Sequence, residues 1–241
     1  MRIVAFDTAT NATTVAVRDP EAGLELELRD DPAPGARPGH ATRLLPLLAE
    51  LLERAGGGWE AVDRLAVGVG PGTFTGLRIG VATARALARA REIPLVGVSS
   101  LEALAAGAAT PEGAQEFAPV VLAVIDARRG EAFAAAWRGQ ERQLEPSALG
   151  PQALAHGAAR LAAYGVIPLA IGDGALRFRD QLAVAGAAVP PPDSELHRIT
   201  AINHCRLAAG LPATSPAQVE PAYLRAPDAE IAYRERHRGQ K

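Results

Sequence analysis

Two aspartates stand at corresponding places in the two halves of the chain. Asp7 ends the apolar run 2–6 and Asp126 ends the apolar run 119–125, and each is followed by a turn and a second apolar run. Two such carboxylates between two lobes could hold a divalent metal ion. An aspartate after a strand is also a common turn residue that binds nearby amides, and this interpretation is favoured.

Glycines mark two further candidate anion sites. Gly70 and Gly72 precede a helical pattern, and exposed amides at a helix N-terminus bind phosphates. Thr75 stands where the dinucleotide fingerprint needs glycine or alanine, and no Gly-Lys-Ser/Thr follows, so a tight turn into a closely packed helix is favoured. Asp173, between Gly172 and Gly174, is interpreted first as a turn aspartate and second as the remnant of a nucleotide site.

The remaining reactive side chains do not form a recognisable set. His197 and His204 are seven residues apart and next to Cys205, but a metal site there lacks further ligands. Ser99 and Ser100 have no GxSxG context. The histidines of the chain are His40, His156, His197, His204 and His237. No two of them have the three- or four-residue spacing of helical metal ligands. No nucleophile, base and orienting group can be assembled.

Hydrophobic periodicity predicts that these residues are positioned by alternating strands and helices. Strands over 2–6, 13–17 and 24–29 predict a meander, followed by a helix that the glycines at 56–58 stop. A strand over 65–69, a helix over 74–91, a strand over 93–98 and a short helix to 106 follow. Because the pattern mixes hairpins with strand–helix–strand units, it predicts mixed sheets flanked by helices.

A second unit repeats the order of the first. Strands over 119–125 and 131–137 flank a turn, and helices over 152–163, 175–184 and 199–209 surround a strand over 166–171. Residues 107–116 resemble a boundary between lobes. We therefore predict an N-terminal lobe over 1–106, a C-terminal lobe over 107–210, and a C-terminal segment with a basic tail over 211–241.

Composition limits the class of protein. With 48% hydrophobic residues, 22% charged residues and a net charge of −2, the 241-residue chain can bury a large core and does not have the charge of a dedicated nucleic-acid binder. A single cysteine excludes an intramolecular disulfide. No leader-like segment or apolar run long enough for a membrane span is visible, so we expect a cytoplasmic protein without membrane attachment.

Two helices have the pattern of a docking surface. In the helix over 74–91, glycine or alanine recurs at every fourth position from Gly72 to Ala88, which would let another helix approach closely. In the helix over 42–55, leucines cover a wider arc than one buried face needs. We predict that a partner contacts Leu44, Leu48, Leu51, Leu52, Gly76, Leu77, Gly80 and Ala84, and that leucine at Gly76 or Gly80 abolishes pairing without unfolding the chain.

Several motifs together resemble the TsaB (YeaZ) family, and the resemblance spans nearly the whole chain. They are Asp7-Thr-Ala-Thr10, His40 before Leu44-Leu-Pro-Leu47, the run from Gly68 to Gly80, the segments 98–104 and 126–131, and Pro221-Ala-Tyr-Leu-Arg225. The resemblance implies a two-lobed α/β fold of the actin, hexokinase and heat-shock chaperone superfamily. It places Asp7, Thr8, Asp126, Gly172, Asp173 and Gly174 at vestigial nucleotide-site positions.

The resemblance also implies a function without catalysis. The family takes part in forming threonylcarbamoyladenosine next to the anticodon of tRNA, pairing with the catalytic paralogue TsaD, which the ATPase TsaE joins. TsaD carries two metal-binding histidines where this chain has Ser100 and Leu104. Because leucine cannot bind a metal and serine is a poor substitute for imidazole, we expect neither catalysis nor a cofactor here.

The resemblance predicts a scaffold subunit that binds and activates TsaD, contacts tRNA only through the complex, and forms a homodimer when alone. Two alternatives stay open. One is a nucleotide-binding kinase or ATPase of the same superfamily that uses Asp7, Asp126 and the turn at 172–174. The other, less favoured, is a metallopeptidase.

Overall fold

The computed structural model describes residues 1–33, 35–108, 119–163 and 165–225. The strands are β1 (Ile3–Asp7), β2 (Thr13–Asp19), β3 (Leu24–Asp30), β4 (Arg64–Gly70), β5 (Leu95–Ser99), β6 (Val120–Arg128), β7 (Glu131–Arg138), β8 (Glu141–Leu149) and β9 (Leu169–Ile171). The helices are α1 (His40–Ala55), α2 (Phe74–Arg91), α3 (Ser100–Ala106), α4 (Pro151–Ala162), α5 (Asp173–Arg177), α6 (Arg179–Val184) and α7 (Ala201–Gly210).

The first sheet has the strand order β3-β2-β1-β4-β5. Its central strand β1 pairs antiparallel with β2 and parallel with β4, and all five of its residues are buried. Helices α1 and α2 pack on one face of this sheet, where their leucines and alanines join Val4, Phe6 and Val67 in one core cluster. The first lobe is therefore a mixed sheet whose central strand ends at Asp7.

The second sheet repeats this arrangement with the order β8-β7-β6-β9. Strand β6 takes the place of β1, pairing antiparallel with β7 and parallel with β9. The sequence analysis missed β8, because its exposed residues and Pro146 do not alternate like a strand. Proline is tolerated there since β8 is an edge strand, and its register against β7 shifts nearby.

The repeated mixed sheet confirms the predicted fold class. Each half has a hairpin, a third antiparallel strand on one side and a parallel pairing on the other, with helices on the faces. The chain is therefore built from two mixed α/β lobes with the same topology around their central strands. The aspartates Asp7 and Asp126 lie near corresponding hairpin turns of the two sheets.

Helix α7 does not lie where the predicted lobe boundary puts it. We assigned residues up to 210 to the C-terminal lobe, but Ala201, Cys205 and Ala208 pack with Ile3, Ala5 and other residues of the first sheet. The periodicity predicted the helix, and only the tertiary structure shows which sheet its small face covers. The predicted helix over 175–184 is divided at Phe178 into α5 and α6. Most of the predicted linker at 107–116, and the basic tail, lie outside the described residues.

Candidate functional site

Within the described residues, the carboxylate of Asp7 contacts His204, Ser100 and the backbone of Ala9. Its Oδ2 lies 2.9 Å from Nε2 of His204 on α7 and accepts a 2.6 Å hydrogen bond from Oγ of Ser100 on α3. Its Oδ1 accepts a 2.6 Å hydrogen bond from the backbone amide of Ala9. The side chains of Asp7 and His204 are 1% and 0% exposed, so solvent does not reach this pair.

Asp7 is held in its charged form. Burial by itself raises the pKa of Asp7, but the hydrogen bond and charge of His204, with hydrogen bonds from Ser100 and Ala9, outweigh burial and lower that pKa. Nδ1 of His204 lies 3.0 Å from the carbonyl of Thr200, which can only accept. The Thr200 carbonyl therefore orients the ring so that its Nε2 faces the carboxylate of Asp7.

Ser100, Asp7 and His204 are the residue types of a hydrolytic triad. Their side chains contact one another in a different order from the one that triad chemistry needs. In a triad the histidine contacts the nucleophile and accepts its proton. Here the aspartate stands in the middle, and Ser100 donates to it while accepting from the amide of Gly70 at 3.2 Å. Because Ser100 is fully buried and its hydroxyl contacts the carboxylate rather than the imidazole, the cluster does not have the arrangement of a triad.

The carboxylate of Asp126, at the second hairpin, also contacts groups of its own chain, and these groups differ from those that contact Asp7. Both carboxylate oxygens of Asp126 lie 2.9 Å from one guanidinium nitrogen of Arg177, and the amide of Arg128 donates to Oδ1 at 2.8 Å. Oδ1 of Asp173 accepts from the amide of Asp126 at 3.0 Å. The two hairpin turns are linked instead by Arg128, which donates to Oδ1 of Asn11 at 2.8 Å.

The glycines beside Asp173 pack closely against the neighbouring strand. A Cβ on Gly172 would stand 2.1 Å from the carbonyl oxygen of Val124, and one on Gly174 would stand 2.8 Å from the carbonyl carbon of Ile125. Gly172 also has a φ of 105°. These contacts explain both glycines by packing against β6, which supports the turn interpretation of this segment.

The row of small residues on α2 lies against the chain's own first hairpin. A Cβ on Gly76 would stand 2.0 Å from the carbonyl oxygen of Thr8, and one on Gly80 would stand 2.4 Å from Oγ1 of Thr8. That hydroxyl donates a 2.8 Å hydrogen bond to the carbonyl of Gly76. The close approach that the glycines permit is therefore internal, and leucine at either position would disrupt the fold of the monomer.

All eight residues predicted to contact a partner are buried within the subunit: Leu44, Leu48, Leu51, Leu52, Gly76, Leu77, Gly80 and Ala84. This corrects the sequence-based choice of residues. The apolar arc of α1 and the small row of α2 were correctly identified as packing faces, but the sheet and the first hairpin already cover them. A partner could reach only the opposite faces of the two helices.

Those opposite faces carry small and apolar side chains. On α1 they include Leu45, which is 55% exposed, and the exposed Ala49. On α2, Ala82 and Ala86 are exposed, while Ile79 and Thr83 are half-buried. We call these six residues the helix seam: Leu45, Ala49, Ile79, Ala82, Thr83 and Ala86. A seam of small side chains lets a second pair of helices approach closely.

The other residues considered from the sequence do not form a site. Nδ1 of His197 lies 3.1 Å from the carbonyl of Gly172, and the buried Sγ of Cys205 donates to the carbonyl of Ile3 at 3.4 Å. Burial raises the pKa of the Cys205 thiol. In the described part of the chain, no three His, Cys, Asp or Glu side chains converge as metal ligands do. None of its helices has the length and hydropathy to cross a bilayer.

Sequence reasoning noticed Ser100 and His204 but did not connect them with Asp7. Ser100 was singled out because it replaces a histidine of TsaD, and His204 because it stands beside Cys205. No local pattern could join them, since Asp7 and His204 are separated by most of the chain and meet only because α7 packs on β1. Thr13 Oγ1, 2.8 Å from the buried Nδ1 of His40, fixes the start of α1 in a similar long-range way.

The chain is similar to proteins of known and unknown role. Residues 34–161 match the family model described as TsaD: tRNA N6-adenosine threonylcarbamoyltransferase. The tRNA threonylcarbamoyladenosine biosynthesis protein TsaB of Escherichia coli is 40% identical over 58% of this chain and 57% of its own length. The uncharacterized protein Rv3421c of Mycobacterium tuberculosis is 32% identical over 95% and 93%.

A solved structure extends this likeness to the complete fold. YeaZ from Pseudomonas aeruginosa superposes with a TM-score of 0.70 at 30% identity, covering 92% of this chain and 99% of that one. The chain spans only 57% and 52% of the lengths of the first two curated relatives it matches. Because the likeness to YeaZ, at 30% identity, covers almost the whole of both chains, the chain belongs to the TsaB (YeaZ) family.

Proposed function

We propose that this chain is a non-catalytic scaffold subunit that binds and activates the TsaD threonylcarbamoyltransferase in tRNA threonylcarbamoyladenosine biosynthesis. The observation that carries the proposal is the buried Asp7–His204 pair. In a working enzyme of this fold, the first hairpin aspartate would have to face substrate or metal. Here the buried carboxylate of Asp7 instead contacts His204 and Ser100.

The second hairpin supports the same conclusion. Arg177 and Arg128 already supply positive charge to Asp126, which is what a metal–nucleotide complex would otherwise provide. Gly172 and Gly174 are explained by contacts with β6. A kinase or ATPase would need a hairpin carboxylate that is free to face its ligand, and both hairpin carboxylates already contact groups of the chain. A metallopeptidase would need converging metal ligands, and the described residues contain no such set.

The helix seam provides the surface for the partner. Leu45 supplies exposed apolar area, and the alanines of α1 and α2 allow close helix crossing, so a matching helix pair of TsaD could complete a four-helix contact. In this arrangement TsaE joins the assembled pair, and tRNA is modified by TsaD. Without TsaD, the same seam would pair with a second copy of the chain, because exposed apolar patches tend to be covered.

Substitutions in the seam test this assignment. Leu45→Glu combined with Ala82→Glu places charge in the proposed contact without touching the core, so we expect at least a hundredfold weaker binding to purified TsaD by calorimetry. The matched control is Ala153→Glu with Ala159→Glu, which adds the same charge to exposed positions of α4 in the second lobe. Unchanged binding by the seam variant, with both proteins folded by circular dichroism, contradicts the assignment.

A further inference from the structure

Three arginines form a straight row on α2. Arg78, Arg85 and Arg89 are all exposed, and their spacings of seven and four residues put them within about 40° of one another around the helix. At 1.5 Å per residue, the row is about 16 Å long. The exposed Thr75, Ala82 and Ala86 lie beside it on the outer surface. We call Arg78, Arg85 and Arg89 the arginine row.

The charge of this row is not neutralised. Helix α2 contains no acidic residue from Phe74 to Arg91. Several other surface arginines have carboxylate partners, such as Arg18 with Glu25 and Arg54 with Glu50. In the described part of the chain, Arg85 and Arg89 make neither an ion pair nor a hydrogen bond.

Arg78 is held in place by neutral groups. Its guanidinium carbon lies 3.8 Å from the ring centroid of Phe74, and its Nε donates a 3.2 Å hydrogen bond to the hydroxyl of Tyr223. The two rings are 5.2 Å apart, and the amide of Ala222 fixes this segment to the carbonyl of Val69 at 2.7 Å. This support orders the end of the row without cancelling its charge.

The arginine row borders the helix seam, because Ala82 and Ala86 of the seam lie next to it on α2. Around α2, Ile79 and Thr83 of the seam lie about 80° or more from the row, on the side where Ile79 joins the core cluster that includes α1. The row lies on the other flank, towards Tyr223. A partner on the seam would therefore leave the arginines at its edge accessible.

We propose that the arginine row binds the phosphate backbone of RNA. Guanidinium groups bind phosphate oxygens in a bidentate manner, and a line of uncompensated positive charge matches a line of phosphates. Aromatic rings stand only at the Arg78 end of the row, where Phe74 and the exposed Tyr223 lie, whereas Arg85 and Arg89 offer charge with small side chains beside them. The choice of RNA rather than another polyanion rests on the proposed function, and it adds a direct contact with the tRNA substrate.

The test is a salt titration of RNA binding. Arg85→Gln with Arg89→Gln removes two charges from exposed positions, and Arg138→Gln with Arg160→Gln removes two from exposed arginines of the second lobe. In the described residues, this control pair also has no ion pair or hydrogen bond. Fluorescence anisotropy with an unmodified tRNA transcript gives the dissociation constant between 50 and 300 mM salt, for the chain alone and with TsaD.

We expect the row variant to bind tRNA more weakly, with a slope of log affinity against log salt reduced by about two, one for each lost phosphate contact. The control variant keeps the wild-type slope. An unchanged slope, or an equal fall in the control, overturns the proposal. So does weaker binding to TsaD with tRNA affinity intact, which would assign the row to an acidic protein surface. Failure of the seam variants alone would refute the scaffold contact and leave this result standing.

Discussion

The side chains of His204 and Asp7 are in a buried polar contact that joins β1, the first strand of the chain, to helix α7. Nε2 of His204 and Oδ2 of Asp7 are 2.9 Å apart. Through its contacts with Ser100 and His204, this hairpin aspartate connects β1, α3 and α7. This relationship turns a candidate catalytic position into an element of the core.

Removing one partner of this pair leaves a buried charge without compensation. We expect His204→Leu, which keeps the volume approximately constant, to lower the free energy of unfolding by about 3–5 kcal/mol. Arg206→Gln on the same helix removes an exposed pair with Glu25 and should cost less than about 1 kcal/mol. Urea denaturation followed by circular dichroism measures both. Equal losses of unfolding free energy in the two variants would show that the buried Asp7–His204 contact contributes no more than an exposed ion pair.

The stability of the protein should also depend on pH through Asp7. The folded-state pKa of Asp7 lies below its ordinary value of 3.8, so the unfolded chain takes up its proton first as pH falls. The stabilisation is therefore fully present above pH 3.8 and is lost as pH falls through the folded pKa. Unfolding free energies of wild type and Asp7→Asn, compared from pH 6 to pH 3, should converge at low pH. Parallel curves would contradict this role.

The small residues of α2 should be required for folding of the monomer. Alanine at Gly76 would put a Cβ 2.0 Å from a backbone oxygen, so we expect a loss of about 3 kcal/mol in unfolding free energy. Gly157 in α4 is the matched control, because its added Cβ would meet only Leu144 at 3.7 Å. Gly157→Ala should be neutral or stabilise by about 0.5–1 kcal/mol. A stable, fully folded Gly76→Ala variant would contradict the packing described here.

Asp126 should be dispensable for chemistry. In a reconstitution with TsaD, TsaE and tRNA, we expect Asp126→Asn to keep the rate of threonylcarbamoyladenosine formation within about twofold of wild type. Loss of a positioned acid or base typically lowers a rate by about 10²–10⁴. Mass spectrometry of digested tRNA measures the product. A large loss of this rate, with folding and binding to TsaD intact, would indicate that the second hairpin belongs to an active site.

The order of strands and helices could be predicted from the sequence because periodicity is a local property. The alternating leucines of β3, the apolar run of β1 and the glycines after α1 each define an element by neighbouring residues. The motifs around Gly68–Gly80 and at the two hairpins also identified the family. The edge strand β8 was missed because proline and polar residues obscure its pattern.

The tertiary structure decided which faces are covered and which charges meet. Periodicity shows that Gly76 and Leu44 belong to packing faces, but not whether the chain itself or a partner fills the space opposite. Pairs such as Asp7 with His204, or Gly76 with Thr8, depend on how distant elements pack, so no local signal specifies them. The sequence by itself thus determined the elements and the family, and only packing showed that the first aspartate is buried and that the outer faces of α1 and α2 are accessible.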